Sequence, residues 1–248
     1  MKLSESISDC ILVFENGSRE SESGSVGKEV VAKEALAELL PDSGEITLKR
    51  PAVAGSLGYR VVKRVFDVSA SVISLVILAI PMAIVAVHIK LESSGPVIFS
   101  QTRVGLNGKP FKIYKFRSMY VGAEQDGARW AAKGDSRVTP LGRKLRDSRF
   151  DEVPQFVNVI RNEMSIIGPR PERPVFCEAF EKKIHGWNYR TLVRPGMSGL
   201  AQVVGGYEML PDEKVALDLE YIGKRSIRLD LWIMSKTLGV IVKKRSVR

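Results

Sequence analysis

The chain has 248 residues, of which 44% are hydrophobic, and its formal net charge is +10. This length suits one substantial core, and the positive charge indicates an anionic partner, for which nucleic acid, anionic lipid and a phosphorylated substrate all qualify. Cys10 and Cys177 are too few for a disulfide framework, and the spacing of cysteines and histidines fits no zinc site.

Residues 1–58 are predicted to be a variable, mobile N-terminal extension. Serine, glycine and charged residues dominate 15–28, and residues 30–40 have the apolar spacing of a short amphipathic helix. Such a polar composition cannot bury much apolar surface, and it indicates no role for the segment.

Residues 59–92 are predicted to be a membrane segment. Residues 68–87 carry no charged side chain, and at ~1.5 Å per residue they reach across a hydrocarbon core of ~30 Å. Lys63 and Arg64 precede this run and basic residues also follow it, although positive charge marks the cytoplasmic side. Pro81 removes a helix hydrogen bond and permits a bend. We therefore expect a re-entrant helix that turns near Pro81 and is anchored by Lys63 and Arg64; a simple span and a buried soluble helix are the alternatives.

Residues 93–248 are predicted to form the main domain. Residues 96–103 and 111–117 alternate in polarity around Asn107-Gly108, which predicts a β-hairpin. A polar connection at 122–136, which contains Trp130, leads to a short basic helix at 141–145. Further helices are predicted at 175–189, 212–222 and 226–242. The last is apolar, contains Trp232 and ends in basic residues 243–245, which is typical of a membrane-surface helix, with packing against the core as the alternative.

The acidic pair Asp151-Glu152 is the centre of the predicted site. Apolar residues after it recur at helical spacing, and Pro154 is tolerated only in a first turn, so the helix is predicted to begin near Asp151. Unpaired N–H groups at such a position also suit a phosphate. Prolines 169 and 171 restrict the backbone around Arg170, and arginine binds phosphate in a bidentate manner. These residues predict a metal–phosphate site, whereas simple helix capping by the acids is the alternative.

Three other cations are secondary candidates for binding phosphates. Lys115 and Arg117 lie on the second strand of the hairpin, and Arg194 opens the Gly/Pro turn at 194–199. A solvated basic strand face is the alternative for the first two, and a simple turn is the alternative for the third.

Taken together, these stretches resemble the bacterial sugar transferase family, the monotopic phosphoglycosyl transferases that act on polyprenol phosphate. The likeness covers about residues 60–243. It rests on Arg103, Gly105, Asn158 and eight ordered motifs: KRVFD (63–67), GPVIFSQ (95–101), KFRSM (115–119), DSRVTPLG (135–142), DEVPQ (151–155), MSIIGPRPE (164–172), RPGMSG (194–199) and DLEY (218–221).

The resemblance implies an α+β fold that is mostly helical, with a re-entrant membrane helix, a small β-hairpin and amphipathic interface helices around a compact catalytic core. It also implies transfer of a sugar-1-phosphate from a UDP-sugar to polyprenol (undecaprenyl) phosphate with release of UMP, the initiating step of exopolysaccharide, capsule, O-antigen or glycoconjugate synthesis. Asp151 would be the nucleophile that forms a covalent phosphosugar intermediate, and Glu152 would hold Mg²⁺. Gln155 and Asn158 are carried over by motif position as substrate-binding residues.

The implied location is the bacterial inner (cytoplasmic) membrane, with the catalytic domain facing the cytoplasm. Membrane lipid is an expected partner, and packing of interface helices could produce a homodimer. Nucleic acid is not expected, because the aromatic residues occupy core positions and are not interleaved with basic ones. Two other functions stay open from the residues alone: a metal-dependent glycosyltransferase that leaves UDP, and a membrane-anchored basic binding module. The sequence does not indicate which sugar is transferred.

Overall fold

The computed structural model describes residues 44–123, 135–205 and 209–242, with the backbone alone for 240–242. The predicted helix at 30–40, most of the extension 1–58, most of the connection 122–136 with Trp130, and basic residues 243–245 lie outside the described residues. Within them the fold is mostly helical with three small two-stranded sheets, which confirms the α+β class.

Eight helices and six strands follow one another in the described part of the chain. The helices are α1 (Leu57–Ile77), α2 (Ala79–Glu92), α3 (Pro140–Asp147), α4 (Gln155–Ile160), α5 (Pro174–Lys183), α6 (Leu200–Val204), α7 (Pro211–Lys224) and α8 (Ile227–Val242). The strands are β1 (Ile46–Thr47), β2 (Ile98–Val104), β3 (Pro110–Phe116), β4 (Ser165–Ile167), β5 (Ile184–His185) and β6 (Gly196–Ser198).

The apolar segment forms two helices, α1 and α2, with a bend of 61° between them. No single helix in the described ranges is long and apolar enough to cross a bilayer, but this pair satisfies the criteria of length and hydropathy when taken together. The bend lies at Leu78, three residues before the predicted position at Pro81. A proline ring clashes with the carbonyl four residues earlier, which here belongs to Ile77, so α1 ends at that residue. Re-entry into a membrane stays a prediction.

The outer faces of α1 and α2 are strongly apolar. Large side chains exposed there include Val65, Val76, Ile80, Ile84 and Leu91. A contiguous apolar surface of this kind marks a membrane or protein interaction site.

Lys63 and Arg64 make contacts within the protein, and membrane anchoring by these residues stays a prediction. Lys63 Nζ lies 3.1 Å from a carboxylate oxygen of Asp230 on α8. Arg64 donates to the carbonyls of Val159 and Ile160, at 2.8 and 3.1 Å. These carbonyls close the C-terminal end of α4, where the last turn lacks internal donors and carries the negative end of the helix dipole. Both cations therefore attach α1 to the catalytic domain.

Strands β2 and β3 form the predicted hairpin. They pair in antiparallel register from Ile98 opposite Phe116 to Val104 opposite Pro110. Asn107 and Gly108 both have positive φ in the connecting turn, at 54° and 76°, the conformation that makes an Asn-Gly pair favour hairpins. The hairpin carries Lys115 into the interior of the domain, because its backbone is paired on β3 while its side chain is mostly buried.

Two apolar clusters fix the elements around the site. The larger one joins α5, α7 and the turn at 187–192, and Trp187 packs on Phe180 with ring centroids 4.6 Å apart. The smaller one packs Ile89 of α2 against Phe116 and Leu145, with Phe150 stacked on Phe116 at 6.1 Å. The helix predicted at 175–189 ends at Lys183, because Gly186 has φ 95° and turns the chain. The helices predicted at 141–145, 212–222 and 226–242 are confirmed as α3, α7 and α8.

If Pro81 causes the bend, Pro81→Ala should straighten the helix pair by restoring a donor for the Ile77 carbonyl. With 21 and 14 residues in the two helices, the end-to-end distance should rise from about 45 Å to about 52 Å at ~1.5 Å per residue. Spin labels at Leu57 and Leu91, both highly exposed, would report it by pulsed dipolar spectroscopy in a cysteine-free background. Ile80→Ala is the control and should leave the distance unchanged. An unchanged distance in Pro81→Ala would instead assign the bend to packing of α2 on the domain.

Candidate active site

Asp151 and Glu152 lie on a tight 3₁₀ turn, Phe150–Glu152, with 3% and 7% of their surfaces exposed. The helix predicted to begin near Asp151 begins instead at Gln155, with Pro154 as its N-cap. Arg149 has φ 60°, and Phe150 is fixed by stacking on Phe116, so the chain tightens before it enters α4. Both carboxylates thereby stand just ahead of the helix.

Glu152 is the meeting point of three segments. Its Oε1 accepts a hydrogen bond from Lys115 Nζ at 2.8 Å and another from Arg170 Nη2 at 2.6 Å. Lys115 comes from β3, and Arg170 comes from the loop after β4. The structure therefore brings together four of the predicted site residues, Asp151, Glu152, Lys115 and Arg170.

The charges in this cluster are strongly coupled. Burial acts to raise the pKa of Glu152, but the charges of Arg170 and Lys115 outweigh it and hold that pKa well below its ordinary value. Burial lowers the pKa of Lys115, although Glu152 opposes the change, and Glu152 raises the pKa of Arg170. The charge of Asp151 also acts on both cations, which places its carboxylate in the same cluster. At neutral pH, Glu152 is thus ionised between two basic groups.

The loop that carries Arg170 is held by its own carbonyls. The carbonyl of Pro169 accepts from the N–H of Gly196 at 2.8 Å, and that of Arg170 accepts from Arg190 Nη2 at 2.9 Å. The next two carbonyls bind β2: that of Pro171 accepts from Arg103, and that of Glu172 accepts from the N–H of Val104. Four successive carbonyls are therefore paired in a loop whose prolines cannot donate.

Sequence reasoning did not select Arg103, Arg190 or Asp218 as site residues. Arg103 forms an ion pair with Glu172 at 3.3 Å beside the loop, and Arg190 pairs with Asp218 in the interior. Arg103 and Asp218 stand in the family motifs, which marked their positions but not their contacts. No pattern in the sequence marked Arg190.

Gln155 and Asn158, predicted to bind substrate, are both buried. Asn158 Oδ1 accepts from the N–H of Tyr114 at 3.1 Å, and its amide nitrogen donates at 2.7 Å to the carbonyl of Lys112. That nitrogen also donates to Glu163. The geometry therefore gives Asn158 the role of attaching α4 to β3. A contact of Gln155 with substrate stays a prediction.

Arg117 has partners that differ from the predicted phosphate. Its guanidinium donates to the carbonyls of Ile89, Ser93 and Ser94 at 3.2, 2.7 and 2.6 Å, at the end of α2. Carbonyls that end a helix lack internal donors, and a buried arginine can satisfy several of them at once. The structure thus uses Arg117 to attach α2 to the hairpin.

Arg194 also binds a main-chain carbonyl. Its Nε donates to Asn162 at 3.2 Å, and the charged groups around it are Arg64, Asp67 and Arg225. The turn that it opens supports the site through backbone pairing of β6 with β4. A Cβ at Gly168 would meet the N–H nitrogen of Gly196 at 3.0 Å, so the close approach of these two segments requires glycine.

A buried carboxylate paired with a lysine and an arginine, with a second carboxylate beside it, forms a site suited to phosphorylated groups in a domain that carries a bent apolar helix pair. Comparison of sequences makes the assignment specific. The family described as bacterial sugar transferase matches residues 58–244, so this chain belongs to that family, as the motifs predicted.

Several relatives carry names that state a reaction. The chain is 47% identical over 187 residues to UDP-N-acetylgalactosamine-undecaprenyl-phosphate N-acetylgalactosaminephosphotransferase of Aeromonas hydrophila, which covers 74% of this chain and 44% of that protein. It is 36% identical over 236 residues to UDP-glucose:undecaprenyl-phosphate glucose-1-phosphate transferase of Caulobacter vibrioides, covering 93% of this chain and 87% of the relative. The chain thus spans less than half of the Aeromonas protein and most of the Caulobacter protein.

Replacement of Glu152 by Gln should destabilise the fold at neutral pH, because Lys115 and Arg170 would lose their shared anion. We expect a loss of about 2–3 kcal/mol, at the low end for a buried pair because Arg170 is one-third exposed. Because the pKa of Glu152 is lower in the folded state, its contribution is present at neutral pH and is lost as the pH falls below the ordinary glutamate range. Urea unfolding at several pH values, without divalent cations, would measure both effects.

Glu178→Gln is the matched control, because Glu178 is exposed on α5. It should have the stability of the wild type at every pH. A Glu152→Gln variant as stable as the wild type at neutral pH would contradict the assigned electrostatics.

Proposed function

We propose that this protein transfers a sugar-1-phosphate from a UDP-sugar to undecaprenyl phosphate, releasing UMP, as the initiating step of exopolysaccharide, capsule, O-antigen or glycoconjugate synthesis. Family membership and the names of the relatives support this reaction. The observation that carries it is the carboxylate of Glu152 between Lys115 and Arg170, directly beside Asp151. Such a site offers a nucleophile and fixed positive charge to a diphosphate.

Asp151 is the nucleophile in the proposed reaction. A carboxylate oxygen bonds to the phosphorus that carries the sugar, while the bond from that phosphorus to the bridging oxygen breaks and UMP departs with the electron pair. An oxygen of undecaprenyl phosphate then attacks the same phosphorus. The acyl phosphate bond breaks, and Asp151 is regenerated as a carboxylate. The two anionic substrates, the UDP-sugar and undecaprenyl phosphate, thus never need to meet in a single displacement.

Lys115 and Arg170 would stabilise the charge on the phosphoryl oxygens. Both are already fixed by Glu152, so little reorganisation is needed as charge moves toward the leaving UMP. The charge of Arg149 also acts on Glu152, so three cations face the carboxylates of Asp151 and Glu152 and leave positive charge for the diphosphate.

The carboxylates also fit Mg²⁺. Both cations bind Oε1 of Glu152, and no hydrogen bond from the described residues reaches its Oε2, which would hold the ion. The described ranges contain no group of three or more His, Cys, Asp or Glu suited to a metal. That is compatible with Mg²⁺, which uses one or two carboxylates and takes its other ligands from water and substrate phosphates. When bound, the ion would offset the negative charge of the diphosphate.

The acceptor accounts for the apolar helix pair. Undecaprenyl phosphate is confined to a bilayer, so we place α1 and α2 in the cytoplasmic membrane as a re-entrant pair, with the catalytic domain on the cytoplasmic side. Exposed Leu231, Trp232 and Leu238 on α8 support a second contact with the membrane surface. Association as a homodimer stays a prediction.

The nucleotide product tests the reaction. Protein in nanodiscs with undecaprenyl phosphate, Mg²⁺ and a panel of UDP-sugars should release UMP with one donor, and Asp151→Asn should reduce release by more than about 1,000-fold because an amide is a poor nucleophile. Asp147→Asn on the exposed end of α3 is the control and should keep wild-type activity. Release of UDP would show simple glycosyl transfer, and no release with any donor would favour a binding module.

Removal of metal tests the role of Glu152. Chelation by EDTA should abolish UMP release, and added Mg²⁺ should restore it. Glu152→Gln should require a higher Mg²⁺ concentration for half-maximal rate, because the amide is a weaker ligand for a hard cation. Full activity in EDTA would rule out the proposed metal.

A further inference from the structure

A buried ion pair lies behind the Arg170 loop. Asp218 on α7 is 1% exposed, and Arg190 in the turn Trp187–Leu192 is 6% exposed. The two side chains form an ion pair through Asp218 Oδ2 and Arg190 Nη2. The hydrogen bonds of this pair go to each other and to the loop and not to Glu152, so the proposed chemistry does not use the two residues directly.

The same nitrogen of Arg190 also reaches the loop. Nη2 donates at 2.9 Å to the main-chain carbonyl of Arg170, whose side chain binds Glu152 at 2.6 Å. The guanidinium lies over the ring of Trp187, with 4.6 Å from its carbon to the ring centroid. Arg190 is therefore held by a carboxylate on one side and an aromatic face on another, and it presents a fixed donor to the loop.

Stability alone does not explain why a buried ion pair occurs at this position. Removing two charges from water is costly, and replacing such a pair by apolar residues is often neutral or stabilising. Here the arginine satisfies a carbonyl at the residue whose side chain enters the site. The neighbouring carbonyls are held by backbone N–H groups or by Arg103, so Arg190 supplies the contact at Arg170 itself.

We propose that Asp218 and Arg190 are positioning residues that fix Arg170, through its main-chain carbonyl, in the place where it meets Glu152. What Arg170 does there rests on the function proposed above. Asp218 orients Arg190, Arg190 anchors the loop, and the loop presents the guanidinium. Loss of Asp218 would then act on catalysis only through Arg170.

The charge of Asp218 changes between neutral and mildly acidic pH, a range in which binding can be measured. Burial raises the pKa of Asp218 to about 6, and Arg190 opposes the rise. The other charged groups that act on Asp218 are Glu172 from the loop and Lys214 from α7 itself. Burial also raises the pKa of Cys177, which faces Arg190 and stays neutral. Asp218 is thus ionised at neutral pH and becomes protonated as the pH falls through about 6.

A double-mutant cycle tests the proposal in the full-length protein. Asp218→Asn should lower kcat/KM for the UDP-sugar by up to about 100-fold, as expected for a misplaced catalytic group, while the KM for undecaprenyl phosphate stays unchanged. In an Arg170→Ala background the same substitution should cost nothing further. Equal costs in both backgrounds would overturn the proposal, because a merely structural role does not depend on Arg170.

Two further variants provide a control and a separate test of Arg190. Glu220→Gln is the matched control, because Glu220 lies on the same helix and pairs with Lys224 at 3.1 Å; it should retain wild-type kinetics. Arg190→Lys keeps a positive charge opposite Asp218, but its nitrogen ends about one bond short of Nη2. It should fold and yet show the donor defect of Asp218→Asn. Wild-type kinetics in Arg190→Lys would overturn the proposal.

The pH dependence should be measured by equilibrium binding of the UDP-sugar, because the acceptor phosphate itself titrates near pH 6. Every protein compared should also carry Asp151→Asn, so that the proposed covalent step cannot consume the donor. Binding to the wild type should weaken as the pH falls through about 6, whereas binding to Asp218→Asn should be weak and independent of pH over that range. The same pH dependence in both proteins would count against the role of Asp218.

Hydrogen exchange gives a result that does not depend on activity. Asp218→Asn should increase exchange in peptides that cover 164–177, and Glu220→Gln should not. If the wild type releases no UMP, the proposed reaction fails while this measurement still decides whether Asp218 holds the loop. Unchanged exchange in Asp218→Asn would overturn the positioning role.

Discussion

The rest of the site depends on one carboxylate oxygen, Oε1 of Glu152, which accepts hydrogen bonds from both Lys115 and Arg170. A buried acid with a single partner would leave little charge for a ligand, but Lys115 and Arg170, with the nearby charge of Arg149, outnumber the carboxylates of Glu152 and Asp151. Because a buried charge without a partner is strongly destabilising, this arrangement also obliges the hairpin and the loop to approach the turn at Glu152. Stability and the proposed binding of anions thus depend on the same contacts.

The fold meets this requirement by fixing the backbone of each contributor. Lys115 sits on β3, paired with Phe99 of β2, so its position follows from the register of the hairpin. Arg170 has no strand or helix of its own, and its loop is fixed by hydrogen bonds to successive carbonyls. Such a loop can tolerate two prolines, because its carbonyls and not its N–H groups carry the pairing.

Many residues of this site could be predicted from the sequence, but the hydrogen-bond partners of its arginines could not. Residue types and motifs identified Asp151, Glu152, Lys115 and Arg170, and Asn107-Gly108 located the hairpin. Three arginines illustrate the limit: Arg64, Arg117 and Arg194 all donate to main-chain carbonyls, acceptors that every residue carries and that no sequence pattern reveals. An arginine that ends a helix and an arginine that binds phosphate look alike until the helix ends are placed. For the same reason, no sequence pattern indicated Arg190, which binds one main-chain carbonyl and one acid far away in the sequence.

The apolar helix pair and the loop that carries Arg170 are joined through β4, a strand of three residues. Asp67 on α1 accepts from the hydroxyl of Ser165 at 2.6 Å and from the N–H of Ile166 at 3.2 Å, both on β4. Strand β4 ends at Ile167, and the loop with Arg170 follows at once. A displacement of α1 would therefore pass to the loop through hydrogen bonds and a few covalent bonds, with no flexible linker between them. Under the proposed function, in which α1 enters the membrane that holds the acceptor, such a connection would keep Arg170 at a constant height above the membrane surface.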